Sequence, residues 1–238
     1  MEEKLSGIVL SAISFGENDK ILNIFTLEKG LVSAKIKGVK KAGAKLKFAT
    51  EPFCFVEYVF SARGNLKTVI GASLIDSFYP IRENIEKYFS AGAVTEFIKR
   101  FTREGIVSQT LFMLMIDALK ELAYGDETAQ SVLVKFLLGA LKETGYSLNL
   151  SGCFKCGNEI SGRTFFIASY GGFECENCYE KGDREINLST YEYLRRAENG
   201  EKLSKEEGVR CLRLLNYYLN EKPEENLKSL VELIKLSN

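Results

Sequence analysis

"LVSAKIKG", residues 31–38, alternates apolar and polar side chains without a break. Val32, Ala34 and Ile36 fall on one face and Ser33, Lys35 and Lys37 on the other. That two-residue period belongs to a strand with one face buried. Four further segments of the first eighty residues are short and rich in Val, Ile, Phe and Tyr: "SGIVLSAISF" (6–15), "KILNIFTL" (20–27), "PFCFVEYVF" (52–60) and "LKTVIGASLI" (66–75). Turn-forming "GEND", "EKG" and "RGN" stand between them. Five strands in roughly seventy residues is the count of a small closed barrel of the OB type, although an open sheet or an SH3-like barrel has a similar number.

Beyond Pro80 the period becomes helical. "IRENIEKYFSAGAVTEFIKRF" (81–101) places Ile81, Ile85, Tyr88 and Phe89 on one face. "SQTLFMLMIDALKELAY" (108–124) and "TAQSVLVKFLLGALKETGY" (128–146) follow, each opening on small polar residues suited to capping. "STYEYLRRAENG" (189–200), "SKEEGVRCLRLLNYYLNE" (204–221) and "NLKSLVELIKL" (226–236) complete the helices, with Ser204 and Glu207 spaced as a capping box. Pro52, Pro80 and Pro223 all sit at expected boundaries. The expected class is α+β: an OB-type β-barrel over 1–79, then a helical domain over 80–238 interrupted by an irregular insert at 151–182.

The polar face of residues 31–38 opens into "KIKGVKKAGAKLK" (35–47). Lys35, Lys37, Lys40, Lys41, Lys45 and Lys47 lie here, with no acid between Glu28 and Glu51. The chain as a whole has 32 basic and 32 acidic side chains, so this gathering is local. Residues 1–79 carry 11 basic and 8 acidic groups. Such a run can simply keep an edge strand soluble. Two features favour an anionic partner instead. The lysines run from a barrel strand into a glycine-containing loop, where barrels of this type grip oligonucleotides. The acids that a solubilising surface intersperses are missing. Phe25, Phe48, Phe53 and Tyr58 read mostly as core, since single-strand binding needs only one or two exposed rings.

The insert carries "CFKCGNEISGRTFFIASYGGFECENC" (153–178), in which Cys153 and Cys156 form one pair and Cys175 and Cys178 another, 18 residues apart. Two residues between thiolates let one tight turn aim both sulfurs at a single ion, and this spacing is that of structural zinc. Gly157 and Asn177 suit the backbone of such turns. A redox site normally has one such pair beside a strand–helix unit, and disulfides are disfavoured without a secretory signal. Four thiolates leave Zn2+ no open position, so the site is structural. Cys54 and Cys211 sit in apolar patterns and read as small core residues.

Other functions find less support. There is no histidine, which removes the commonest proton-transfer residue near neutral pH and the metal sites built on it. "GVKKAGAK" (38–45) fails as a phosphate loop because Ala44 stands at the lysine position. No catalytic constellation is evident, and a binding protein is expected rather than an enzyme. No apolar run reaches membrane-spanning length and the start lacks a signal-peptide pattern, so a cytoplasmic setting without membrane contact is expected. An RNA- or ribosome-associated factor, where barrels and zinc ribbons also combine, is the competing reading.

The order of parts resembles the RecO family of bacterial DNA repair proteins. "FGENDKILNIFTLEKG" (15–30) is similar to that family's early glycine–acid turn and the strand ending in Thr and Gly. "KIKGVKK" (35–41) resembles its basic motif, "EPFCFVEYVF" (51–60) its Pro-Phe strand, and "NLKSLVEL" (226–233) its closing helix. The resemblance covers essentially the whole chain. It departs at "AGAKLK" (42–47), where the family often has a serine, and the cysteine pairs are not universal in the family. The resemblance implies a non-enzymatic protein that binds single- and double-stranded DNA and anneals complementary strands. It also implies that, with RecR, the protein helps RecA replace single-strand-binding protein, whose acidic tail it recognises. No motif locates that tail site. Lys99, Arg100 and Arg103 are a candidate, against the simpler reading of a solvated helix face.

Overall fold

A computed structural model of the chain describes residues 2–61, 67–180, 184–222 and 226–237. The expected turn at 63–65, residues 181 and 182 of the insert, and Pro223 lie outside the described residues. Strands β1 (Glu2–Phe15), β2 (Asp19–Thr26), β3 (Gly30–Ile36), β4 (Phe55–Ser61) and β5 (Lys67–Asp76) close into a barrel in the order β1-β2-β3-β5-β4. All neighbours are antiparallel except β3 and β5, which run parallel. That parallel closure is the OB arrangement and removes the open-sheet alternative. β1 closes the ring because it is long and bent: its first half pairs with β4, its second with β2, and the register shifts between Val9 and Ser11. A bulge of this kind strengthens the local twist.

The alternation in residues 31–38 holds. Val32, Ala34 and Ile36 are buried with Leu22, Ile24, Tyr58 and Phe60 inside the barrel. One mouth is plugged by the segment after β3, in which a 3-10 turn (Lys47–Thr50) carries Ala49 into the barrel core. The Tyr58 hydroxyl donates to the Ala49 carbonyl at 2.8 Å and fixes this plug. The strand pattern gave no sign of the 3-10 turn, because its four residues are too few for a readable period.

The helices are α1 (Ile85–Phe101), α2 (Gln109–Tyr124), α3 (Ala129–Glu143), α4 (Leu188–Glu198), α5 (Lys205–Asn220) and α6 (Lys228–Leu236), and the barrel packs against the first two. Phe25 and Phe55 of the barrel approach the Phe112 ring of α2 at 5.8 and 5.9 Å. Gly30 makes the junction tight: its φ is +64° and a Cβ there would strike the Ile106 carbonyl. Ser108, Thr128 and Ser204 cap α2, α3 and α5, and Ser204 forms the expected capping box with Glu207.

The expected face of α1 needs correcting. Asn84 caps the helix, so Ile81 lies in a preceding 3-10 turn (Tyr79–Glu83) and is buried there, outside the helical period. Ile85 and Tyr88 are exposed, and the buried stripe is Ala91, Val94, Phe97 and Ile98. Arg100 also departs from a solvated face. It is buried and donates to the carbonyls of Leu219 and Lys222, joining α1 to the end of α5.

The segment expected to be irregular, 151–182, contains β6 (Thr164–Ile167) and β7 (Gly172–Cys175), which join β8 (Arg184–Ile186), just past it, in a three-stranded sheet of order β7-β6-β8. Its strands are too short to announce themselves. They are held by packing, with Phe166 5.8 Å from Tyr218 and Phe173 4.9 Å from Tyr191. No helix among the described residues is long and apolar enough to cross a membrane.

Candidate nucleic-acid interface and metal centre

The lysine run folds as the outer layer of the plug. Val39 and Ala49 enter the barrel core and Leu46 and Phe48 pack partly against it, while Lys37, Lys40, Lys41, Lys45 and Lys47 are exposed. Apolar anchors thus fix the loop while the charged side chains between them stay in water. The Lys40 amide donates to the Asn18 carbonyl at 3.0 Å, and the Gly38 amide to Asp19 Oδ1 at 2.8 Å, tying the loop to the β1–β2 turn. Gly38 and Gly43 have φ of +66° and +72°, which turn the chain back on itself.

Lys35 differs from the other five. Its ammonium lies 2.8 Å from Asp19 Oδ2 and 4.5 Å from the centre of the Phe15 ring. The hydrogen bond from Lys35, then that from the Gly38 amide, hold the Asp19 carboxyl below the usual aspartate range. Among the described residues, Lys37, Lys40, Lys41, Lys45 and Lys47 have no carboxylate within ion-pair distance. Lys20, which the sequence reading passed over, adds a cation beside the plug, with its ammonium 3.2 Å from Thr50 Oγ1.

The rings behave as read. Phe25, Phe53 and Tyr58 are buried and Phe48 is half-buried. Phe53 is reached through a left-handed backbone, φ +68°, that the sequence did not signal.

At the insert, one sulfur from each of Cys153, Cys156, Cys175 and Cys178 lies within 4.8 Å of the other three. Sulfurs about 2.3 Å from a tetrahedral ion stand about 3.8 Å apart. The Cys156–Cys175 separation of 3.9 Å is close to that, so the donor set fits a metal ion. The first pair is carried by a turn in which the Gly157 amide donates to the Cys153 carbonyl at 2.8 Å. Gly157 has the expected left-handed backbone, φ +74°, but Asn177 does not; among the described residues only Phe53 and Phe78 combine a side chain with positive φ. The second pair sits at the end of β7, where the Cys178 amide donates to the Cys175 carbonyl at 3.0 Å.

Burial pushes the Cys153 thiol up, but backbone amides of Cys156, Cys175 and Lys155 aimed at its sulfur outweigh this and bring it to about 6. Cys178 is pushed up to about 12, first by its hydrogen bond with the Cys156 sulfur and then by burial. Four thiols this close share protons that a bound cation displaces. Cys54 and Cys211 are buried in the core, far in sequence from this cluster.

Lys155, between the first two cysteines, bridges the two turns. It donates to the Cys178 carbonyl at 3.0 Å and lies 2.9 Å from Glu174 and 2.8 Å from Glu180. Glu174 is fully buried, and the ammonium is the charge that balances it. These carboxylates, Glu180 first, raise the Lys155 pKa above its ordinary value.

Two family models match the chain, Recombination protein O N terminal over residues 1–78 and Recombination protein O C terminal over residues 82–230. Proteins named DNA repair protein RecO are similar over most of its length. The one from Pelotomaculum thermopropionicum is 32% identical, covering 81% of this chain and 75% of its own. That from Desulforamulus reducens is 28% identical, covering 92% and 90%. The one from Acetivibrio thermocellus is 29% identical, covering 78% and 74%. Barrel, helical body and both halves of the sequence agree, and the chain belongs to the RecO family.

Proposed function

We propose that this protein is a mediator of recombinational DNA repair that acts in the cytoplasm by binding and not by bond chemistry. It holds single- and double-stranded DNA on the plugged mouth of the barrel and anneals complementary strands. With RecR, it helps load RecA onto DNA covered by single-strand-binding protein, whose acidic tail is a further partner. The observation that carries the reading is the group of five exposed lysines, free of carboxylate partners among the described residues, on a loop anchored from beneath. Membership in a family whose relatives are named for DNA repair supports it.

Lys37, Lys40, Lys41, Lys45 and Lys47 neutralise phosphates and release counterions, which gives affinity without sequence preference. Lys35, held by Asp19, contributes as a fixed edge of the same site. The barrel over 1–79 is the DNA-binding unit and 80–238 the helical unit, a division supported by the break between the family models. Zinc is the ion we assign to Cys153, Cys156, Cys175 and Cys178, because four thiolates in a tetrahedral frame favour it and leave no open position for chemistry. When bound, it cross-links the two turns of the insert.

Replacing Lys37, Lys40 and Lys41 together with Glu tests the reading. DNA binding measured by fluorescence anisotropy should be lost, while zinc content and melting temperature stay close to wild type. Unchanged DNA affinity, or a preference of the wild-type protein for structured RNA over single-stranded DNA in competition, would overturn it.

A further inference from the structure

The plugged mouth also carries exposed apolar surface. Phe15, the last residue of β1, is 48% exposed and has no aromatic neighbour among the described residues. Ile13, two residues back and therefore on the same side of the strand, is 59% exposed. Phe15 pairs across the hairpin with Asp19, which holds Lys35, whose ammonium lies 4.5 Å over the phenyl ring. The ring is thus steadied by a cation that is itself pinned, while about half of it remains in water. The hydrogen bond from the Lys40 amide to the Asn18 carbonyl ties the loop that carries the free lysines to this same hairpin.

We propose that Phe15 is a stacking platform for one unpaired nucleobase of a strand whose phosphates lie on the lysines. This rests on the reading of the lysine loop as a DNA interface and adds to it a means of preferring single strands. In the interior of a duplex both faces of each base are already covered by its neighbours, so an isolated ring gains nothing there. In a single strand, a base can turn onto the phenyl face without any sequence requirement. The lysine loop tied to this hairpin selects the occupant: an apolar protein segment would leave its exposed lysines without counter-charge, whereas a polynucleotide supplies phosphates for the loop and a base for the ring. Because the ring is already held by Lys35, little side-chain freedom is lost when a base arrives.

The test compares three ligands of equal length, oligo-dT, an abasic oligomer with the same number of phosphates, and a duplex, titrated against wild type, Phe15→Ala and Phe15→Trp. Wild type should favour oligo-dT over the abasic oligomer by roughly tenfold, the scale of one stacked base. Phe15→Ala should lose that preference while keeping wild-type affinity for the abasic oligomer and the duplex, and Phe15→Trp should retain it. An oligo-dT preference undiminished in Phe15→Ala overturns the platform alone. Equal losses on all three ligands, with a lowered melting temperature, also overturn it, since the ring would then act only by shaping the loop. Failure of the wild-type protein to bind any of the three overturns the DNA interface itself.

Discussion

Lys40 and Lys155 both stand in short turns, yet one has no carboxylate partner among the described residues and the other is held by two. Around Lys40 the buried atoms are apolar: Val39 and Ala49 anchor the loop, and the ammonium groups need no internal partner because they stay in water. Around Lys155 a carboxylate is buried, Glu174, and a cation must accompany it since an unpaired buried charge is costly. The same residue type thus has two different physical tasks. In the insert, positive charge completes the fold; on the barrel, it stays exposed to solvent.

The contrast can be broken in several ways. The greatest expected effect is on the cysteine cluster. Cys153→Ser with Cys156→Ser removes half the donor set and should cost about 4 kcal/mol, the scale for loss of a structural metal. For a chain this long, that is roughly 8–16 °C in melting temperature. Zinc content by elemental analysis should fall together with stability, and unchanged stability in a zinc-free protein would remove the metal from the account.

Next comes Lys155→Met, which should lower the melting temperature by leaving Glu174 buried without its cation, whereas Lys40→Met should leave it unchanged. The raised pKa of Lys155 means that it stabilises the fold below its unfolded-state pKa and is lost only as pH rises through the higher folded value. Lys155 itself should therefore add no pH dependence to the wild-type melting temperature between about pH 6 and 9, well below the ordinary lysine pKa. The smallest effect is a slope. If four lysines of the loop meet phosphate, log K for single-stranded DNA should fall with log salt at about −3. Lys155→Met should not alter that slope.

Periodicity and spacing made much of this molecule readable. Val32, Ala34 and Ile36 showed their face through strict alternation, and the Ser204–Glu207 box marked its helix start. Four cysteines at 153, 156, 175 and 178 indicated that their sulfurs gather in one place, because a two-residue gap is a local geometric constraint. Where the elements were too short, the reading failed: the sheet strands of the insert have three or four residues, and the plug of the barrel contains a single 3-10 turn. Arg100 was misread because its partners, the Leu219 and Lys222 carbonyls, lie more than a hundred residues away. Phe15 offered no signal, since one aromatic residue at the end of a strand is as compatible with burial as with exposure.

Residue order by itself determined the strand and helix segments, the concentration of lysine at 35–47 and the pairing of the cysteines, because each is written in spacings of a few residues. Only the tertiary structure decided which charges are satisfied. It gave Lys35 to Asp19 and Lys155 to Glu174 and Glu180, left five lysines of the loop exposed, and left the Phe15 ring half exposed beside Lys35. An ion pair depends on distances of a few ångströms between groups remote in the chain, and those distances exist only once the core has set them.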